Sequence, residues 1–327
     1  MTIRITRPLC AAAAFAAGLA LFGTAAQAQT AWPAKPVRIV VGFAPGGSTD
    51  VMARILAQQL TESLGQPVVI DNKPGASGNI AAAEVIRAAP DGQTFLIAPT
   101  SVETANPSLF KSSILPSRDL TPVGTIGRTQ MYLVAKPQLA VRDARDLVAL
   151  ARSQPGKLSY ASAGTGTPPH LACEMFKVAS GTYITHIPYR GAAPALQDVM
   201  SGQADFVCDP GIAFPHIRAG KVKLLGIVSA KRSPFFPDVP TVGELGFKEA
   251  DLDIWFGLWA PNGVAPEIVA RLNRELGKAM AQAAVKSRYA DLGAETAAMS
   301  PAEFKALLAD EGQRLTTLIR EQKIVVE

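Results

Sequence analysis

Histidine and cysteine are scarce in this chain, with three of each among 327 residues, and aromatic residues make up only 6%. His170, His186 and His216 lie far apart, form no H-E-x-x-H and have no cysteine at ligand spacing, so no metal site is expected. There is no Walker G-x-x-x-x-G-K-[ST], no G-x-S-x-G, and no G-x-G-x-x-G after the first strand. Ser108 and Lys111 satisfy S-x-x-K, yet neither S-D-N nor K-T-G accompanies them. Without a nucleophile and its base the chain reads as a non-enzyme, with no catalytic residue and no cofactor. Charge is modest as well, 18% of residues and a net +5 without basic clusters, which argues against nucleic acid or an anionic membrane as partner.

The one long apolar run lies at the start. Arg4 and Arg7 precede an alanine-rich stretch from Leu9 to Phe22 and then Ala26-Gln27-Ala28, the pattern of an export signal cleaved after Ala28. The rest of the chain then belongs in a periplasm, with no other stretch of membrane-spanning length. Beyond this leader only Cys173 and Cys208 remain. They can pair in an oxidising compartment or sit as two buried thiols, and the sequence leaves both open.

What is present is organised around Val37 to Asp50, VRIVVGFAPGGSTD. An apolar run of strand length without alternation suits a parallel strand covered on both faces. Pro45-Gly46-Gly47 stops it, Ser48 to Asp50 can cap a helix, and Val51, Ile55, Leu56, Leu60 and Leu64 recur at helical spacing up to Gly65. A strand, a glycine turn and a helix start leave backbone N–H groups unpaired at the sheet's carboxyl edge, where an oxyanion can accept them. A plain tight turn is the alternative.

Two further units end alike, at Gly75 to Asn79 and at Thr100-Ser101, and such loops gather at one edge of an open α/β sheet. Residues 121–136 then turn extended, without a helix between segments, which marks a crossing into a second domain. There the scheme repeats, with loops at 163–169 (AGTGTPP), at Arg190-Gly191 and at Asp209-Pro210-Gly211. Residues 251–260 read as a returning strand, and the remainder as helices over 265–284 and 300–322, the second opened by a Ser300 to Glu303 capping box. The expected organisation is a signal peptide over 1–28, a discontinuous first lobe over 29–124 plus 259–327, and a second lobe over 125–258. Each lobe is an α/β unit with a central, mainly parallel sheet flanked by helices, and two crossing strands form a hinge.

FAPGGSTDVMAR, NKPGASGNI, SAGTGTPPHLA, HIPYRGAAPALQDVMSGQADF and APNGVAPEIVARLN, in that order, resemble the Bug family, the extracytoplasmic receptors of tripartite tricarboxylate transporters. The resemblance covers essentially the whole chain after the leader. It implies a two-lobed periplasmic binding protein, type II-like, that closes like a flytrap over a small carboxylate and passes it to membrane subunits. The alternative is a co-receptor that signals to a membrane sensor kinase. A monomer is the implied state. Carried over by position, the first lobe would contribute Phe43, Gly46, Gly47, Ser48 and Thr49, with Ser77, Asn79, Thr100 and Ser101 nearby. The second would contribute Ala163, Gly164, Thr165, Gly166, Thr167, Tyr189, Arg190 and Asp209. Departures from the family pattern are Ala76-Ser77 and the two cysteines.

Several of these residues have plainer readings. Arg190 can grip a carboxylate in a bidentate way or make a surface salt bridge. Asp209 can meet a ligand or cap its turn. Tyr189 can line a pocket or finish its strand. Asp50 reads as structural, with Arg54 one helical turn on. Trp255, Phe256 and Trp259 read as core.

Overall fold

The computed structural model describes residues 32–111 and 116–324, so the expected leader and its cleavage point lie outside the described residues. The central apolar run forms β1 (Val37–Val41), flanked in parallel by β2 (Val68–Asn72) and later by β3 (Thr94–Pro99). Its side chains are buried on both faces, as an apolar run without alternation requires. Between these strands lie α1 (Ser48–Leu64) and α2 (Asn79–Ile86). Gly65 ends α1 in the left-handed conformation, with its amide on the Thr61 carbonyl.

β4 (Leu120–Thr129) continues the first sheet, and β5 (Tyr132–Ala135) opens the second. A helix the sequence reading passed over, α3 (Ala144–Ser153), follows, capped by Asp143, whose side chain accepts from the Arg145 and Asp146 amides. Then come β6 (Ser159–Ser162), α4 (Pro168–Ser180), β7 (Thr185–Pro188), α5 (Ala192–Ser201), β8 (Phe206–Asp209) and β9 (Lys223–Ile227). The chain returns through β10 (Ile254–Pro261) and ends in α6 (Pro266–Ala281), α7 (Ala283–Ala290), β11 (Ala294–Glu295) and α8 (Pro301–Glu321). The capping box at Ser300 is present, with the Ser300 and Glu303 groups exchanging bonds.

The six-stranded sheet runs β11-β4-β10-β3-β1-β2, and the five-stranded one β7-β6-β8-β5-β9. In both, the strand that crosses between lobes breaks the parallel run: β10 is antiparallel to β3 and β4, and β5 to β8 and β9. The sheets are therefore mixed. β4 stays in the first sheet to Thr129 and β10 joins it at Ile254, so the limits expected at 124 and 259 fall inside strands. Hydrogen bonds tie the two crossings together, from Gln130 Nε2 to Ser229 Oγ (3.1 Å) and from Ser229 Oγ to Asp253 Oδ1 (2.5 Å).

Trp259 and Phe256 are buried, and Trp259 packs against Phe304 of α8 with ring centres 5.0 Å apart. Trp255 is only half-buried and lies under Arg128. Cys173 in α4 and Cys208 in β8 form a disulfide inside the second lobe, which decides between the two states the sequence left open.

Candidate functional site

The first wall is the start of α1. Gly47 is its N-cap and has no side chain with which to cap it, so the first-turn amides of Ser48 and Thr49 have no intrahelical acceptor. Asp50 is occupied elsewhere. Its Oδ2 accepts from the Gly46 amide (2.9 Å) and Arg54 Nε (3.0 Å), and its Oδ1 from Asn72 Nδ2 (2.9 Å). Burial alone would raise this carboxyl, but the bonds from Arg54, Gly46 and Asn72 outweigh it and hold it below the usual carboxylate range. Asp50 thus fixes the loop as an anion and is spent in doing so.

The second wall differs from the sequence expectation. Residues 163–169 were expected to be loop throughout, but α4 begins with Pro168 and Pro169, which have no N–H, so its tip lacks two of the donors a helix start normally offers. The donors of this lobe come from α5, where Gly191 is the N-cap and the Ala192 and Ala193 amides open the helix. Ser48 and Thr49 from one lobe and Ala192 from the other line a single inner cavity of about 30 Å³. The rest of its wall is apolar or proline: Phe43, Pro99, Ala163, Pro168, Pro169, Pro210, Ile254 and Phe256, with Gly47. No charged side chain lines it. Phe43 and Ala163 are shared with an outer cleft of about 530 Å³, which also carries Ser77, Thr165, Tyr189 and Arg190.

The expected site residues therefore divide. Phe43, Gly47, Ser48, Thr49 and Ala163 line the inner cavity, and Ser77, Gly164, Thr165, Tyr189 and Arg190 the outer cleft. Arg190 is exposed, and among the described residues it has no acidic partner, so it is not the surface salt bridge of the plainer reading. The Tyr189 hydroxyl donates to Asp198 Oδ2 (2.5 Å), and burial with that carboxylate beside it pushes its pKa up to about 12.

The remaining residues line neither surface. The Gly46 amide is held by Asp50, and the Gly166 amide by His170. Asn79 accepts from Asn106, the Thr100 amide binds the Trp255 carbonyl, and Thr167 Oγ1 donates to the Gly164 carbonyl. Ser101 is buried with its hydroxyl unpartnered. Asp209 caps its own turn, with Oδ1 accepting from the Gly211 (2.7 Å) and Ala213 (2.9 Å) amides, and burial pushes its carboxyl up to about 7. The sequence reading missed Ala192, Phe256, Ile254 and the four prolines. The helix start after Gly191 carried a signal for Ala192, and the Pro168-Pro169 pair one for a helix tip without donors.

The Asp209 turn is also where the lobes meet. Ser48 Oγ donates across to the Pro210 carbonyl (3.1 Å), and Gly211 presses on Leu292. A Cβ on Gly211, at φ +107°, would stand 1.8 Å from the Leu292 carbonyl oxygen, an atom that cannot swing away. Gly211→Ala is expected to cost at least about 1–3 kcal/mol, the range for a side chain in such a conformation, read by chemical denaturation.

A larger groove of about 860 Å³ runs beside α8, lined by Lys248, Asp251, Asp310, Arg314 and Glu321 among others. It is open, its charges are mixed, and Arg314 is already bonded to Asp251. The small cavity between lobes, lined by the first residues of a helix from each, is the better candidate.

Two α/β lobes joined by crossing strands, with helix starts from both on one cavity, define a solute-binding protein of the periplasmic kind. The chain belongs to the family described as the tripartite tricarboxylate transporter family receptor, which it matches over residues 52–324. It is 38% identical over 298 residues to Protein BugT of Bordetella pertussis, covering 89% of this chain and 90% of that one. Among solved structures it is similar to MatC from Rhodopseudomonas palustris with bound malate, at 35% identity and a TM-score of 0.83, covering 88% of this chain and 100% of the other. It is also similar to an R. palustris protein with adipate, at 34% identity and a TM-score of 0.87, covering 90% and 99%. These neighbours bind solutes and are not enzymes, in line with the missing nucleophile.

Proposed function

We propose that this protein is exported with its leader cleaved after Ala28, works as a monomer in the periplasm, and captures a small carboxylate between its lobes. It then delivers the solute to the membrane subunits of a tripartite tricarboxylate transporter. The lobes of this proposal are about 29–129 with 254–327, and 130–253, with 1–28 as the leader. The observation that carries the reading is that residues opening a helix in each lobe, Ser48 and Thr49 in one and Ala192 in the other, line one cavity that no charged side chain lines.

An anion there meets amide dipoles and no competing carboxylate. Each helix start contributes about 0.3–1 kcal/mol when exposed and up to about 2 when partly buried, whereas a micromolar complex needs about 8. One tip is therefore too little. Both lobes, the apolar contact of Phe43 and Phe256, and a cation at the mouth are all needed. The inner cavity suits one carboxylate, and the outer cleft the rest of the molecule, with the guanidinium of Arg190, unpaired among the described residues, for a second acid group.

Calorimetric titration with mono-, di- and tricarboxylates, malate and adipate among them, is expected to find one-to-one binding, and silence from every acid would refute the reading. Arg190→Ala is expected to weaken a dicarboxylate by about 10- to 100-fold, the worth of a charge-assisted contact, and a matching monocarboxylate far less. Equal losses for the two would remove Arg190 from the site.

A further inference from the structure

A second groove, of about 500 Å³, shares only Thr165 with the outer cleft and is lined by His170, His186, Glu174 and Lys177 among others. Tyr160, His186 and His170 are layered there, with ring centres 4.8 Å apart for the first pair and 4.3 Å for the second. The two imidazoles hold the loop between β6 and α4 by its amides, His170 directly and His186 through Ser162. Gly166 N–H donates to His170 Nδ1 (3.2 Å), Gly164 N–H to Ser162 Oγ (3.1 Å), and Ser162 Oγ lies 2.7 Å from His186 Nε2. The Thr167 amide and hydroxyl both donate to the Gly164 carbonyl. Both glycines have positive φ, so the loop adopts a shape that other residues resist. Thr165, between them, is left with its amide and hydroxyl unpartnered among the described residues, and it lines the cleft.

We propose that His170 and His186 are positioning residues for the solute. As neutral imidazoles they fasten the Gly164 and Gly166 amides from behind, so that Thr165 is the residue of this loop that meets the ligand. The inference rests on the reading of the cleft as the solute site.

The hydrogen bonds themselves set the protonation. A ring nitrogen that accepts from Gly166 carries no proton, so His170 has its hydrogen on Nε2. Ser162 Oγ accepts from Gly164 and is bonded to His186 Nε2, which accepts in one neutral tautomer and donates in the other. Glu174 is engaged by Tyr160 and by Lys177 (2.6 Å), and Lys323 and Tyr183 also line the groove. Burial lowers His170 to about 4, with Lys177 adding to the effect and Glu174 opposing it. Burial, His170 and Lys177 lower His186 to about 3. Both rings stay neutral at ordinary pH. A proton on His170 Nδ1 replaces the acceptor with a second donor and frees Gly166.

The decisive readout is on the loop and needs no ligand. In ¹H–¹⁵N NMR of the whole protein from pH 7 down, His170 is expected to be neutral with its hydrogen on Nε2, and the Gly166 amide shift to follow the His170 titration. His170→Asn keeps an oxygen acceptor that does not titrate, so the Gly166 amide should be flat over that range. A wild-type Gly166 signal that ignores the imidazole overturns the proposal.

Malate is the binding probe. At pH 7 His170→Asn should bind within about threefold of wild type and His170→Leu about tenfold more weakly, the worth of a lost hydrogen bond. Malate itself titrates as the pH falls, so the comparison is between proteins: wild type should lose affinity faster than His170→Asn towards pH 4. Identical profiles would overturn the proposal. If malate fails to bind at pH 7 the ligand reading is at fault, while the Gly166 signal still decides the role of the histidines. If His170→Leu fails to fold, wild type and His170→Asn suffice.

Discussion

Ser48→Pro is expected to lower carboxylate affinity by about 10- to 150-fold while leaving the fold intact. Ser48 is the first residue of α1, where an N–H has no intrahelical partner and proline is at home. Gly47 before it sits at φ −77° and ψ 164°, the extended backbone that the residue before a proline adopts. Three helices of this protein, α4, α6 and α8, already open on proline. The change therefore deletes one amide hydrogen at the cavity wall, together with the hydroxyl that bonds Pro210, and little else from the helix. A hydrogen bond to a charged group contributes about 1.5–3 kcal/mol, and every 1.4 kcal/mol is tenfold in affinity.

Ser48→Ala is the partner experiment. It keeps the amide but removes the hydroxyl that donates to Pro210 across the lobes, a neutral bond of about 0.5–1.5 kcal/mol. Its effect on affinity should be about tenfold or less, through the closed state. Titration calorimetry gives both affinities, and a thermal melt of each variant shows whether α1 has survived. If proline binds as well as wild type, the Ser48 amide is not a ligand contact.

The second large effect is on stability. Replacing Cys173 and Cys208 together with alanine should cost about 4 kcal/mol, the chain-entropy value for a bridge across 35 residues, and lower Tm by roughly 6 °C. The bond joins α4 to β8 just before the Asp209 turn, and both residues are buried, so a thiol reagent should reach it only as the protein unfolds. Differential scanning calorimetry of the variant against wild type reads the loss. An unchanged Tm would mean that the surrounding core restricts these segments without the bridge.

How legible the molecule was follows from which forces are local. β1, its glycine turn and α1 could be read because an apolar run, a turn and a helical period each span a few consecutive residues. The return strand β10 was legible as extended chain, but its direction against β3 and β4 is a property of the assembled sheet. α3 went unread although Asp143 and the Leu147, Val148 and Ala151 spacing mark it.

Within the site, the reading looked for backbone donors at glycine turns, and the polar side chains it added to them are in part engaged by the protein itself. Asp209 turned inward to cap its own turn, because two amides within four residues are nearer than any ligand. Asn79 and Thr100 support other segments, through Asn106 and the Trp255 carbonyl, partners distant in sequence that no local pattern shows. Ala192 carries no polar side chain and was passed over, yet it opens the second lobe's helix tip. Pro168 and Pro169 stood in plain view, and their missing N–H groups already implied that α4 could not be the donor. The pairing of Cys173 with Cys208 depends on how α4 packs against β8, which no local pattern encodes.

The central claim is that backbone amides from both lobes receive the solute's acid group. A crystal structure of the protein with a bound dicarboxylate tests it most directly. The expected result places one carboxylate at about 2.7–2.9 Å from the Ser48 or Thr49 amide on one side and from the Ala192 amide on the other. A carboxylate gripped by Arg190 alone, with the helix tips facing only solvent, would contradict it.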